Sequence, residues 1–185
     1  MRKIAVLFPG IGYTCDKPLL YYTGKLAAAH GYEIKKVEYG GFEAEIKGNR
    51  EKMKKAFYSA LTQAEEILKD VDWQEYQDIV FVGKSVGTIA AAAYMKKYKI
   101  AGRNIVYTPL MDTFLFEKGP GIVFHGTADP WAENTEKIKD CCEKIGLPLC
   151  RIENANHSLE TGDTIKDIEI LRKVISKAEA FFIRL

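Results

Sequence analysis

The stretch DIVFVGKSVGT, residues 78–88, joins an apolar run to a serine that lies between glycines. Asp78–Val82 is the most continuously apolar run of the chain and predicts a buried strand, and the alanine-rich segment Val86–Tyr98 predicts a helix. The tripeptide Gly83-Lys84-Ser85 also ends phosphate-binding loops. Such a loop begins with a glycine five residues before Gly83, where this chain has Asp78 and a strand. The pattern therefore favours a G-x-S-x-G turn that presents Ser85 as a nucleophile.

The two glycines around Ser85 have a physical reason in such a turn. Gly83 and Gly87 stand two residues before and two after the serine, where the strand and the helix approach closely. The N-terminus of the helix would favour negative charge beside the serine. A packed turn without chemistry looks the same, so the rest of the chain must supply a base, an orienting acid and a second oxyanion donor.

Composition narrows the class of protein. The chain has 185 residues, a formal net charge of +2, 47% hydrophobic residues and 28% charged residues. These values suit one globular domain over residues 1–185. Scattered basic residues and low net charge argue against nucleic acid or a membrane as a partner. The apolar run near the N-terminus, about five residues, is shorter than the roughly 7–15 of a secretory signal, so we expect a cytoplasmic protein.

The cysteines do not indicate a metal site. Cys15, Cys141, Cys142 and Cys150 contain no C-x-x-C pair, so zinc is not expected. Small buried residues with free thiols are the interpretation that a reducing compartment favours.

Apolar runs alternate with helical patterns along the whole chain. The predicted strands are Lys3–Phe8, Tyr32–Tyr39, Asp78–Val82, Arg103–Tyr107, Gly121–His125 and Pro148–Ile152. The predicted helices are Lys17–His30, Glu51–Val71, Val86–Tyr98, Glu133–Ile145 and Asp163–Phe182. This alternation predicts an α/β fold, a mainly parallel six-stranded sheet between two layers of helices. The connection Thr108–Pro120 has no clear structure and is long enough to be functional.

A base and an acid follow two of the later strands. His157 lies in a polar loop after the sixth strand and is the predicted base, whereas His30 suits a helix end and His125 suits a packed strand end. Asp129 follows the fifth strand and is the favoured acid, with Asp112, after the fourth strand, as the alternative. A helix-capping aspartate is the structural interpretation of Asp129.

A glycine-rich turn after the first strand supplies a candidate oxyanion site. Its sequence, Phe8–Thr14, reads FPGIGYT and can direct a backbone N–H toward Ser85. We expect the N–H groups of Ile11 and Val86 to act as donors, with Gly12 as second choice for the former.

Taken together, these motifs resemble the α/β-hydrolase family. The residues that carry the resemblance are Phe8-Pro9-Gly10-Ile11-Gly12, Gly83-Lys84-Ser85-Val86-Gly87, Gly126-Thr127-Ala128-Asp129 and Asn156-His157-Ser158. The resemblance implies strand order 2-1-3-4-5-6 and a minimal member without a cap domain, similar to the small dienelactone-hydrolase-like esterases. Two family strands are missing at the start, and Pro9 stands where relatives often have histidine.

The resulting hypothesis is a serine hydrolase. Ser85, His157 and Asp129 would cleave small esters or thioesters through an acyl-enzyme, with no metal or other cofactor. A peptidase or acyltransferase using the same residues is an alternative, and so is a binding protein that has lost its chemistry. The expected partner is a small acyl substrate, and the oligomeric state is left open.

Substrate contacts are predicted near the loop ends. Gly12, Tyr13 and Trp131 come from neighbouring loops, and Met111 and Phe114 come from the connection after the fourth strand. Some of the apolar residues of that connection could equally be core. Because the connection is too short for a lid, we expect short acyl chains of around two to six carbons to be preferred.

Overall fold

The computed structural model describes residues 2–46, 48–132 and 135–183. Within them, six strands form one sheet in which each neighbouring pair is parallel. The strands are β1 (Arg2–Phe8), β2 (Glu33–Lys36), β3 (Tyr76–Lys84), β4 (Arg103–Tyr107), β5 (Gly121–Gly126) and β6 (Leu149–Ile152). Their order across the sheet is β2-β1-β3-β4-β5-β6, which confirms the predicted order.

Helices cover both faces of the sheet. They are α1 (Pro18–Ala29), α2 (Arg50–Leu68), α3 (Val86–Tyr98), α4 (Thr135–Ile145) and α5 (Thr164–Ile183). The first two residues of the predicted fourth helix, Glu133 and Asn134, lie outside the described residues. None of the described helices is long and apolar enough to cross a membrane.

Several boundaries differ from the prediction for local reasons. β2 is only four residues long because it lies at the sheet edge and pairs with β1 alone. β3 extends to Lys84 because it pairs with β1 and β4 on its two sides. Two 3-10 helices, Trp73–Glu75 and Met111–Leu115, were not predicted, since three to five residues are too few to show a period.

The alternation of side chains along β3 divides the core in two. Val80 and Val82 pack under α1 and α5, and Ile79 and Phe81 pack under α2 and α3. A smaller cluster around Ile138 lies under α4. Since the sheet is parallel, the carboxyl ends of β1, β3, β5 and β6 meet at one edge, and their loops carry the predicted site residues.

Candidate active site

Ser85 occupies a strained turn between β3 and α3. Its φ is 57° and its ψ is −124°, a conformation that non-glycine residues rarely adopt. The turn is fixed by hydrogen bonds, from the N–H of Ser85 to the Tyr107 carbonyl (3.1 Å) and from the N–H of Thr88 to the Ser85 carbonyl (2.9 Å). The hydroxyl of Thr88 donates to the same Ser85 carbonyl at 2.6 Å. These bonds hold the serine at the N-terminus of α3.

The glycines around Ser85 are required by close packing. A Cβ at Gly87 would collide with the carbonyl oxygens of Phe8 and Pro9, which belong to the end of β1 and the loop after it. A Cβ at Gly83 would lie 2.8 Å from the Cα of Thr88, closer than real contacts allow. Specific backbone atoms therefore explain why small residues are needed on both sides of the serine.

Ser85, His157 and Asp129 form one hydrogen-bonded chain. The Ser85 Oγ lies 2.8 Å from Nε2 of His157, and Nδ1 of His157 lies 2.7 Å from Oδ2 of Asp129. The Asp129 side chain is fully buried and that of His157 is largely buried. In this geometry Nε2 can take the proton of Ser85 while Asp129 stabilises the charged ring.

Asp129 is held in its charged, oriented form. Its other oxygen, Oδ1, accepts a hydrogen bond from the N–H of Trp131 at 2.8 Å. Burial raises the pKa of Asp129. The hydrogen bond from His157, the charge of His157 and the hydrogen bond from the Trp131 N–H together lower it by more, so the pKa lies below its ordinary value. The Trp131 ring stacks on His157 with centroids 5.5 Å apart, which covers one face of the imidazole.

The loop that carries His157 is braced by its own asparagine. The Oδ1 of Asn156 accepts hydrogen bonds from the N–H groups of Ser158 (2.7 Å) and Glu160 (3.2 Å). Gly126 lies directly beneath, where a Cβ would collide with the carbonyls of Ala155 and Asn156. These contacts set the position of His157 relative to β5.

The other candidates lie elsewhere. Asp112 is exposed on the 3-10 helix after β4 and makes no hydrogen bond to a described residue. His125 is buried, with Nε2 3.1 Å from the Thr135 hydroxyl, and burial lowers its pKa. His30 lies 3.5 Å from Glu179 at the end of α1. The structure thus brings Asp129, and not Asp112, to His157.

The N–H groups of the two predicted oxyanion donors make no hydrogen bond to a described residue. Val86 is the first residue of α3, and its N–H, like that of Ile11, has no acceptor among the described residues. Ile11 lies in a tight turn closed by mutual backbone hydrogen bonds between Gly10 and Tyr13, at 3.0 and 3.3 Å. Gly12 completes that turn with φ of 71° and is exposed.

One residue of the site was missed as a functional candidate. Lys84, the middle residue of G-x-S, is 1% exposed. Its Nζ lies 4.9 Å from the centroid of the Tyr13 ring and has no hydrogen-bond or ion-pair partner among the described residues. Burial lowers the pKa of Lys84 to about 7, against the opposing charges of Asp129 and Glu160. The alternation of β3, which puts Lys84 on the face of Val80 and Val82, was the signal that could have found it.

A cavity of about 410 Å³ borders the loop that follows His157, but Ser85, His157 and Asp129 are not among the residues that line it. It lies between the start of α1, the start of α5 and the loop Ser158–Gly162, which follows His157. Tyr13, one of the predicted substrate contacts, lines it, and the Tyr13 hydroxyl accepts a hydrogen bond from the N–H of Leu19 at 3.0 Å. A larger cavity, about 540 Å³, lies around Asp78 and Arg103 at the opposite edge of the sheet, away from Ser85.

Met111 and Phe114, also predicted as substrate contacts, pack against the core under α4. Their neighbours there include Val106, Val123 and Ile138. This packing favours the core interpretation that the sequence left open for this connection. Their contact with substrate stays a prediction.

Comparison with solved structures identifies the fold. Est1E from Butyrivibrio proteoclasticus is 12% identical with a TM-score of 0.69, over 98% of this chain and 87% of that chain. An α-β serine hydrolase homologue from Coxiella burnetii is 15% identical with a TM-score of 0.62, over 95% and 84%. XC6422 from Xanthomonas campestris, an α/β serine hydrolase without a lid, is 13% identical with a TM-score of 0.61, over 98% and 83%.

The chain has the α/β-hydrolase fold. No protein-family model matches the sequence, and no curated protein matches it either. Over residues 2–46, 48–132 and 135–183 the fold has a minimal form, with six strands and without a cap domain, as predicted. Among the described residues, no three His, Cys, Asp or Glu side chains come together as a metal site requires.

Proposed function

We propose that the protein is a serine hydrolase that cleaves carboxylic esters or thioesters of small acyl groups. The observation that carries the proposal is the chain of two short hydrogen bonds from Ser85 through His157 to Asp129. It begins at a strained serine on the N-terminus of a helix, which is the position of the nucleophile in the α/β-hydrolase fold.

The reaction follows from the positions of the three side chains. His157 Nε2 removes the proton of Ser85 as Oγ attacks the carbonyl carbon, and the carbonyl electrons move to oxygen. His157 then gives that proton to the leaving alcohol or thiol, and the carbonyl re-forms as an acyl-enzyme. Water, deprotonated by His157, releases the acid and restores Ser85. Asp129 keeps the ring in the tautomer that presents Nε2 to the serine.

The developing oxyanion would be held by the N–H groups of Ile11 and Val86. Both are free of protein acceptors among the described residues, and Val86 adds the positive end of α3. Removal of one such donor typically costs about 10²–10³ in kcat. Since the turn of Ile11 is closed by its own hydrogen bonds, little reorganisation is needed when the oxyanion forms.

The test is labelling of Ser85 by a fluorophosphonate, because only an activated serine reacts rapidly. We expect wild-type protein to be labelled at Ser85, and the variants Ser85→Ala and His157→Ala to be labelled at background rate. Ser176→Ala, which changes an exposed serine of α5, is the matched control and should be labelled like wild type. Rapid labelling of Ser85→Ala would place the reactive serine elsewhere and end the proposal.

We also propose a reducing compartment such as the cytoplasm. The four cysteines, Cys15, Cys141, Cys142 and Cys150, are free thiols. Burial raises the pKa of Cys15 and of Cys142 to about 12, so neither is an activated thiolate at neutral pH. Alkylation of thiols in intact producing cells, compared with purified protein, would test whether they stay reduced.

A further inference from the structure

The carbonyl group of Ser85 accepts two hydrogen bonds from one residue of α3. The N–H of Thr88 donates to it at 2.9 Å, and the hydroxyl of Thr88 donates to it at 2.6 Å. Threonine on a helix can donate its hydroxyl in this way to a carbonyl three or four residues earlier. Thr88 is buried, so both bonds are shielded from solvent. The Ser85 carbonyl is thus held from inside the protein.

A second hydroxyl continues this arrangement from a distant part of the chain. Thr113, on the 3-10 helix Met111–Leu115, is fully buried, and its hydroxyl oxygen lies 2.6 Å from that of Thr88. A hydroxyl has one proton to donate, and Thr88 gives its own to the Ser85 carbonyl. Thr113 is therefore the donor to Thr88. A directed chain of hydrogen bonds runs from Thr113 through Thr88 to the Ser85 carbonyl.

The same peptide group carries a proposed oxyanion donor. The Ser85 carbonyl and the Val86 N–H belong to one planar trans peptide group, in which they point in opposite directions. Bonds that fix the carbonyl oxygen therefore also fix the direction of the N–H. The surroundings must hold this geometry, because Ser85 is strained, with φ of 57°. Hydrogen bonds in a chain also polarise one another, so a carbonyl that accepts them makes its N–H a stronger donor.

The loop after β1, which carries the other proposed donor, Ile11, packs directly on this turn. A Cβ at Gly10 would lie 3.2 Å from the Cβ of Ser85 and 3.2 Å from the Lys84 carbonyl oxygen. The space between the loop and the turn is therefore narrow. An oxyanion that forms there needs donors whose directions are already set, since little rearrangement is possible.

We propose that Thr113 is a positioning residue that acts through Thr88 to orient and polarise the Val86 N–H, which receives the oxyanion. This inference rests on the proposed function and adds to it a residue of the connection after β4. Thr113 takes no part in proton transfer. The competing interpretation is that two buried hydroxyls only satisfy one another, which would affect stability and not the oxyanion.

The experiment compares p-nitrophenyl acetate with its thionoester, in which sulfur replaces the carbonyl oxygen. Sulfur is a weak hydrogen-bond acceptor, so the ratio of the two kcat/KM values, ester over thionoester, reports the contribution of the oxyanion donors. Thr113→Val keeps the shape of the side chain and removes its hydroxyl. We expect this variant to lower the ratio about three- to tenfold, through kcat of the ester and not through its KM.

Two further variants keep a donor at position 113. Thr113→Ser retains the hydroxyl and should keep the wild-type ratio, whereas Thr113→Cys, with a weaker thiol donor, should give a ratio between those of wild type and Thr113→Val. Thr62→Val makes the same change at an exposed position of α2 and should leave the ratio unchanged. Because both substrates are measured on one preparation, any unfolded fraction cancels from the ratio.

A wild-type ratio in Thr113→Val, or a ratio in Thr113→Ser as low as that in Thr113→Val, would overturn the inference. Should Thr113→Val fail to fold, Thr113→Cys decides in its place, and a wild-type ratio there has the same meaning. A structural role alone would lower the stability of Thr113→Val in urea and leave the ratio unmoved. Wild-type protein that hydrolyses neither substrate at Ser85 would instead remove the proposed function, and this assignment with it.

Discussion

Replacement of Lys84 by methionine should stabilise the protein, although most substitutions of fully buried residues destabilise. Methionine has nearly the same length and shape, so the change removes the charge and keeps most of the packing. Burial lowers the pKa of Lys84 from its ordinary value of 10.5 to about 7. The folded state therefore disfavours the ammonium, whereas the unfolded state accepts it freely.

The magnitude follows from that difference in pKa. Each pKa unit corresponds to about 1.4 kcal/mol, so the drop from 10.5 to about 7 corresponds to a cost on the order of 5 kcal/mol. Above pH 10.5 the amine is neutral in both states and the cost is absent. It grows as the pH falls toward 7 and is constant below 7. The gain from Lys84→Met is thus largest at pH 6 and is reduced to about 2 kcal/mol at pH 9.

The assay is urea denaturation of wild type and variant at pH 6 and pH 9, with the free energy of unfolding extrapolated to water. Allowing for imperfect packing of the new side chain, we expect a gain of about 3–5 kcal/mol at pH 6. Lys54→Met, on the surface of α2, should change stability by less than about 0.5 kcal/mol. A gain that is absent at pH 6, or equal at the two pH values, would refute a buried, unpaired ammonium at Lys84.

Three further predictions concern the site. Asp129→Asn should lower kcat by roughly 10²–10⁴ through the wrong histidine tautomer, and Asp112→Asn by less than about tenfold; the reverse ranking in steady-state kinetics would make Asp112 the acid. Gly87→Ala should lower the free energy of unfolding, measured in urea, by about 1–3 kcal/mol or more, because the new Cβ would collide with two carbonyl oxygens. Gly40→Ala, at an open position, should leave that free energy nearly unchanged, and equal effects of the two substitutions would contradict the packing argument. Across p-nitrophenyl acetate, butyrate, octanoate and palmitate, kcat/KM should be highest for a short ester; a maximum at palmitate would reveal a long acyl site.

Much of the site could be predicted because a parallel sheet imposes strong constraints on its loops. Ser85, Asp129 and His157 each follow a strand, and parallel strands bring their carboxyl ends to one edge. Asp129 and Asp112 both follow strands, so the choice of Asp129 rested on where the nucleophile-elbow fold places its acid. The structure distinguishes them by one contact, since Oδ2 of Asp129 lies 2.7 Å from Nδ1 of His157. That contact depends on the position of the loop after β6, which packs on Gly126 and is braced by Asn156.

The buried side of the connection after β4 could not be predicted from sequence patterns. Met111 and Phe114 lie on a 3-10 helix of five residues, and a segment so short shows no repeat from which its buried side could be read. Its position is instead set by a long-range contact, the 2.6 Å hydrogen bond between the hydroxyls of Thr113 and Thr88. That bond turns Thr113 toward α3, while Met111 and Phe114 pack on the cluster under α4.

Lys84 shows a different limit of sequence analysis. The alternation of β3 indicates which face of the sheet its side chain lies on, but the partners of its ammonium depend on loops that are distant in the sequence. Lysine in a G-x-S-x-G turn can point to solvent or into the core, and the alternation of β3 already favours the core face of Val80 and Val82. What no pattern could supply is that the loops above it would leave the ammonium over the Tyr13 ring, without a hydrogen-bond or ion-pair partner among the described residues. The urea experiment with Lys84→Met therefore tests directly whether a buried charge without a direct partner lowers the stability of the folded protein.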